Sequence, residues 1–232
     1  MESMPFFVVP LVIAIIALAV FGIIQGAKQR KRAIAQKRRL ARRMGCEFHE
    51  KDPFRLAARF ERTFPSLKSG SNRYAFNVIT GEWEGIPIWI FDHHNETTST
   101  DSKGNRTTHH HYAGYIVLRH NFESAQLEVR REHLFDGLGA LFGFDDIDFE
   151  SEAFSKRWMV KANDRKFAYA LFDPQMIDYF LTFDRFTMSL REEWGLYRVE
   201  GGMSALDIRK TLRRIEGFLE RIPRFVRKDY AR

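Results

Sequence analysis

Five of the eight histidines fall into two short groups, His93 and His94, then His109, His110 and His111. Neutral imidazole is a good ligand for zinc, nickel and copper. Two groups at either end of one polar stretch can meet if that stretch is a hairpin. Pairing 86–92 with 112–119 sets His93 and His94 opposite His111 and His110. Alternate strand residues share a face, so His109 and His111 would join His93 or His94, with Asp92 nearby. Three imidazoles and a carboxylate would hold Zn²⁺. The plainer reading is a polar hairpin with exposed, independent histidines, because structural zinc sites usually use cysteine. No cofactor is therefore expected, and zinc at His93, His94, His109 and His111 is the one exception the residues allow.

Other chemistry is sparse. The single cysteine, Cys46, cannot form an internal disulfide, which suits a reducing compartment, and it reads as a buried inert thiol rather than a nucleophile. Asp146, Asp148 and Glu150 alternate with Ile147 and Phe149, giving a strand one acidic and one apolar face. The spacing lacks the central glycine of a calcium loop, so a solvated face is the simpler account. Gly137, Gly139 and Gly143 do not follow a phosphate-loop pattern and read as a flexible connection. Asn95-Glu96-Thr97 and Asn105-Arg106-Thr107 match the glycosylation pattern, which would go unused in the cytoplasm. There is no Walker A loop, nucleophile elbow or H-E-x-x-H, and no catalytic residue can be named.

The elements that would position these residues follow from periodicity. A short helix at 53–60 would be capped by Asp52. Strands are expected at 74–80, 86–92 and 112–119, with an exposed polar loop at 95–108 between the last two. Residues 127–131 read as the next antiparallel strand, and 146–150 and 157–162 as further ones. Residues 164–172 and 174–183 read as helix broken at Pro174, and 186–190 with 196–200 as a closing hairpin. A last amphipathic helix spans 204–221, with Ser204 as cap, Asp207 in its first turn and Pro223 at its end. Its stripe of Ile208, Leu212, Ile215, Leu219 and Ile222 must lie on the sheet. The fold class is α+β, with a mainly antiparallel sheet.

The N-terminal segment sets the address. Residues 6–24 contain no charge and span 19 positions, about 28 Å as a helix and enough for a bilayer core. Lys28, Arg30, Lys31, Arg32, Lys37, Arg38, Arg39, Arg42 and Arg43 follow without an acidic residue. That charge order favours an uncleaved anchor over a signal peptide, with the basic end in the cytoplasm. The expected organisation is an anchor at 1–27, a basic juxtamembrane helix at 28–44 and a cytoplasmic domain at 45–232, with an exposed hairpin loop about 93–111. Gly22 and Gly26 have the spacing of a weak helix-dimer contact. The first 43 residues carry nine positive charges and one negative, more than the whole net charge of +7, and leave the rest of the chain slightly negative. The nine cations are thus expected at anionic lipid headgroups, and the near-neutral domain argues against nucleic acid.

The motifs of residues 74–222 also carry a resemblance. Gly85–Asp92, the polar stretch, Leu127–Arg130, Asp146–Phe154, Asp164–Tyr169 and Asp173–Met176 together resemble an uncharacterised family of bacterial proteins with one N-terminal span and one cytoplasmic α+β domain. The histidines lie outside the shared pattern. The family carries no known activity. With the charge order placing the N-terminus outside, the leading expectation is an inner-membrane protein acting as a binding or scaffolding module through a protein partner or a homodimer. The alternatives are a metal-dependent enzyme or sensor at the hairpin, and nucleic-acid binding through the basic segment.

Overall fold

The computed structural model describes residues 8–131, 144 and 146–229; the glycines at 137, 139 and 143 lie outside them. Helix α1 (Val8–Arg43) is continuous through the expected boundary at residue 27. Ala, Leu, Lys, Arg and Gln dominate its second half, and none of them breaks a helix. Gly45, at a φ of 70°, turns the chain after it. Among the described residues α1 is the helix long and apolar enough to cross a membrane, and Ile13, Leu18, Phe21 and Ile23 on it are exposed.

Six antiparallel strands follow, β1 (Glu47–Lys51), β2 (Ser71–Trp83), β3 (Ile86–Thr100), β4 (Arg106–Arg131), β5 (Trp158–Ala162) and β6 (Thr187–Glu200). Their order is β1-β2-β3-β4-β5, with β6 paired to the free side of β4. The 26-residue β4 is the spine. Its first half lies between β3 and β6, and its second half between β5 and β6. The fold is α+β, as the periodicity implies.

Each sheet face has its own core. Ile79, Ile88, Ile90, Ile116, Leu118 and Val129 face the helices. These are α3 (Glu152–Ser155), α4 (Arg165–Leu171), α5 (Pro174–Leu181), α6 (Ala205–Arg221) and α7 (Arg224–Asp229). Ile208, Leu212, Ile215 and Ile222 of the α6 stripe are buried there. Ser204 and Asp207 cap α6 reciprocally, each accepting from the other's backbone amide. The second face buries Val78, Phe91, Val117 and Leu196 under α2 (Leu56–Phe60) and the 3-10 turn Pro65–Lys68.

Five expectations change. The stretch 95–108 is strand, not loop: β3 and β4 stay paired to Thr100↔Arg106, leaving only 101–105 as a turn. Thr and Ser pairs such as Thr98↔Thr108 and Ser99↔Thr107 form a two-faced polar ladder with none of the alternation that marks a half-buried strand. Residues 127–131 continue β4 rather than begin a strand, after a register shift between Arg119 and Ser124. The expected closing hairpin is the single strand β6, whose polar middle is a bulge with Glu192 at a φ of 54°. The acidic run is not a strand; it holds one bridge, Asp146↔Lys161. The first short helix starts at Leu56, because Arg55 takes a left-handed conformation, with both Asp52 oxygens accepting from the amides of Phe54 and Leu56.

Two contacts give α1 its direction against the sheet. Cys46, just past its end, lies against Gly81, which pairs with Ile88, while Lys37 meets Asp92 further along β3. Towards its N-terminus, α1 therefore runs the same way as β3 does towards the 101–105 turn.

Candidate functional site

Two polar nodes interrupt the helix-side face of the sheet, and β2 builds both. It bulges twice, placing Asn72 at a φ of 46° and Asn77 at 51°. Asparagine tolerates this left-handed conformation better than other side chains. Each bulge turns polar groups toward β3.

At the first node Asp92 and Lys37 form an ion pair with exposures of only 3% and 6%. Asp92 also accepts from Asn77 Nδ2 at 2.8 Å and from the Met203 amide at 3.0 Å. Gly114, opposite Asp92, leaves room for Met203: a Cβ there would lie 2.1 Å from Met203 Cγ. One carboxylate thus gathers α1, β2 and the segment leading into α6. Of the nine juxtamembrane cations, Lys37 does not face headgroups, because it is spent on Asp92. The other eight are exposed, and Arg38 among them pairs with Glu50.

The second node lies two and four residues further along the same face of β3. His94 Nε2 is 3.1 Å from His110 Nδ1 and 3.8 Å from Glu96 Oε1, and His110 Nδ1 is 3.3 Å from the same oxygen. The backbone carbonyl of Asn72 lies 3.1 Å from His94 Nδ1, and the Asn72 amide donates to Glu96 Oε1 at 2.7 Å. Tyr74 and Tyr112 flank His94, with ring centroids at 4.7 and 4.9 Å. His94 is buried, whereas His110, Tyr74 and Tyr112 are exposed.

The expected register differs here. His93 pairs with Ala113 and His94 with Tyr112, while Asn95, Glu96 and Thr97 face His111, His110 and His109. His93, His109 and His111 therefore share the opposite face and do not join His94. His109 contacts Ser99 Oγ at 3.1 Å and His111 contacts Thr97 Oγ1 at 2.8 Å. His93 is buried against Tyr115. Burial, with the charges of Arg73, His94 and Arg198, lowers its pKa to about 4. Glu96 and His110 were not singled out as ligands by sequence. Their signal was the pairing at i and i+2 on β3, legible only once the turn is confined to 101–105.

This six-stranded sheet, with most of its helices on one face, has a solved counterpart. The fold is similar to that of TtfA. The crystal structure of this mycobacterial trehalose monomycolate transport factor A matches with a TM-score of 0.58, over 82% of this chain and 96% of that one. At 15% identity the likeness to TtfA shows the fold alone. No family model and no curated protein matches the chain.

Proposed function

We propose that the protein is a single-pass inner-membrane module whose α+β domain lies in the cytoplasm and binds or scaffolds a protein partner or a second copy. The observation that carries this reading is the buried Lys37–Asp92 pair, which fixes the helix of the membrane span to the sheet. A tether would not need such a joint; a module that presents one surface at the bilayer would. Eight exposed cations on α1 suit anionic headgroups. The fold shared with TtfA, a trehalose monomycolate transport factor, supports a transport process as the setting.

Cys46 is the sole cysteine, and burial raises its thiol pKa, so an added cysteine can be read cleanly. Ser102→Cys, in the exposed turn, should resist a membrane-impermeant maleimide in intact spheroplasts and react after lysis. Labelling in intact spheroplasts would reverse the orientation. A photo-crosslinker at Tyr112 should give one discrete adduct in native membranes; a free monomer with no adduct would remove the partner.

A further inference from the structure

We propose that His94, Glu96 and His110 form a divalent-metal site, best suited to Zn²⁺. The proposal is independent of the reading above. The three donor atoms lie within 4.8 Å of one another. Bonds of 2.0–2.1 Å at tetrahedral angles separate ligand atoms by about 3.3–3.4 Å. The separations here, 3.1, 3.3 and 3.8 Å, bracket that edge. An ion can therefore sit over one face of the triangle once the widest separation, His94 Nε2 to Glu96 Oε1 at 3.8 Å, closes by a fraction of an ångström.

Protonation is already arranged for it. A carbonyl can only accept, so the contact to Asn72 O requires the proton of neutral His94 to sit on Nδ1. His94 Nε2 then turns its lone pair toward His110 and Glu96. A metal-ligating imidazole is commonly held this way, through its other ring nitrogen. His110 offers Nδ1 to an ion in the tautomer that carries its proton on Nε2. Asn72 steers two of the three ligands at once, its carbonyl holding His94 and its amide holding Glu96. That gives a physical reason for a left-handed residue at the β2 bulge.

His94 and Glu96 come from β3 and His110 from β4, so the ion would clamp the outer half of the hairpin. The fourth coordination position is left for water or for a donor from a partner. Two imidazoles and a carboxylate suit borderline divalent ions and are a poor match for Ca²⁺ or Mg²⁺, which take oxygen ligands.

The test uses the full chain, purified without a polyhistidine tag in detergent micelles, with Zn²⁺ titrated against a chromophoric chelator and metal content measured on the same sample. One Zn²⁺ per chain is expected. His110→Ala, at an exposed position that leaves the fold intact, should lower affinity at least about 100-fold. Asn72→Gly, which keeps the left-handed backbone but removes the amide, should weaken it by about tenfold. His109→Ala and His111→Ala, on the other face, should change nothing. Absence of stoichiometric Zn²⁺ overturns the proposal. So does an equal loss with His109→Ala, which would mean that the histidine-rich hairpin binds without a defined site.

Discussion

Removing the ammonium of Lys37 would leave the Asp92 carboxylate buried with two neutral donors, Asn77 Nδ2 and the Met203 amide. Breaking one side of such a pair costs about 3–5 kcal/mol, because the remaining charge has no counter-ion and no water. Lys37→Ala should lower the stability of the full chain in micelles by that order, read by tryptophan fluorescence during urea unfolding. Arg39→Ala, on the exposed face, should stay within about 0.5 kcal/mol of the parent. In sequence Lys37 is one cation among nine. What distinguishes it is phase: Lys37, Leu40 and Ala41 are buried and Ile34 and Met44 half-buried, at the spacing of one helical face. That stripe is short and sits beside a much stronger apolar span, so charge order hides it.

The bend in β4 shows what elements conceal. Between Arg119 and Ser124 its pairing with β6 shifts, and the loosened segment carries His120 into the interior. His120 Nδ1 contacts the Phe122 carbonyl at 2.7 Å, and the ring stacks on Phe122 with centroids 4.0 Å apart. Burial lowers its pKa from 6.5 to about 4, although the carbonyls of Phe122 and Trp194 and the Glu193 carboxylate push upward. In the unfolded chain the group protonates near 6.5; folded, it stays neutral to about pH 4. Its contribution is complete above pH 6.5 and is lost as pH falls from there toward 4, a total of roughly 3 kcal/mol. Over that window the stability of the parent should fall more steeply than that of His120→Phe, measured by urea unfolding at pH 7, 5.5 and 4.5; parallel curves would place His120 in water. Elements with one buried face were legible: α6 with its cap, β5, and the apolar parts of β2, β3 and β4. Those held by pairing alone were not. The outer hairpin is polar on both faces, and the bulge in β6 resembles a turn because charged residues occupy it. The cluster of His94, Glu96 and His110 shares that blind spot, since its register depends on where the turn begins.

At the scale of the molecule, the sheet is fastened to α1 at Lys37 and again through Leu40 and Ala41, which join its core. From Asp92 to Thr100, β3 covers about 26 Å. From Lys37 back to Gly26, α1 covers about 16 Å. The 101–105 turn and the apolar half of α1 lie toward the same end, so under the proposed anchoring the hairpin is on the bilayer side of the domain.

With α1 as the membrane span proposed above, one helix is both the anchor and a fastened part of the domain, and it acts as a keyed shaft. Each residue added between Gly26 and Lys37 advances the domain by about 1.5 Å and turns it by about 100° around the shaft. One alanine inserted after Gln29 should swing the hairpin to another side of the span and abolish a Tyr112 crosslink. Seven alanines, close to two full turns, should return it to nearly the original bearing, about 10 Å further out, and restore the crosslink wherever the partner tolerates the added height. If one and seven insertions behaved alike, the joint at Lys37 would not hold in the membrane. The number of residues between bilayer and sheet is then an angular coordinate, and it sets which neighbour the hairpin faces.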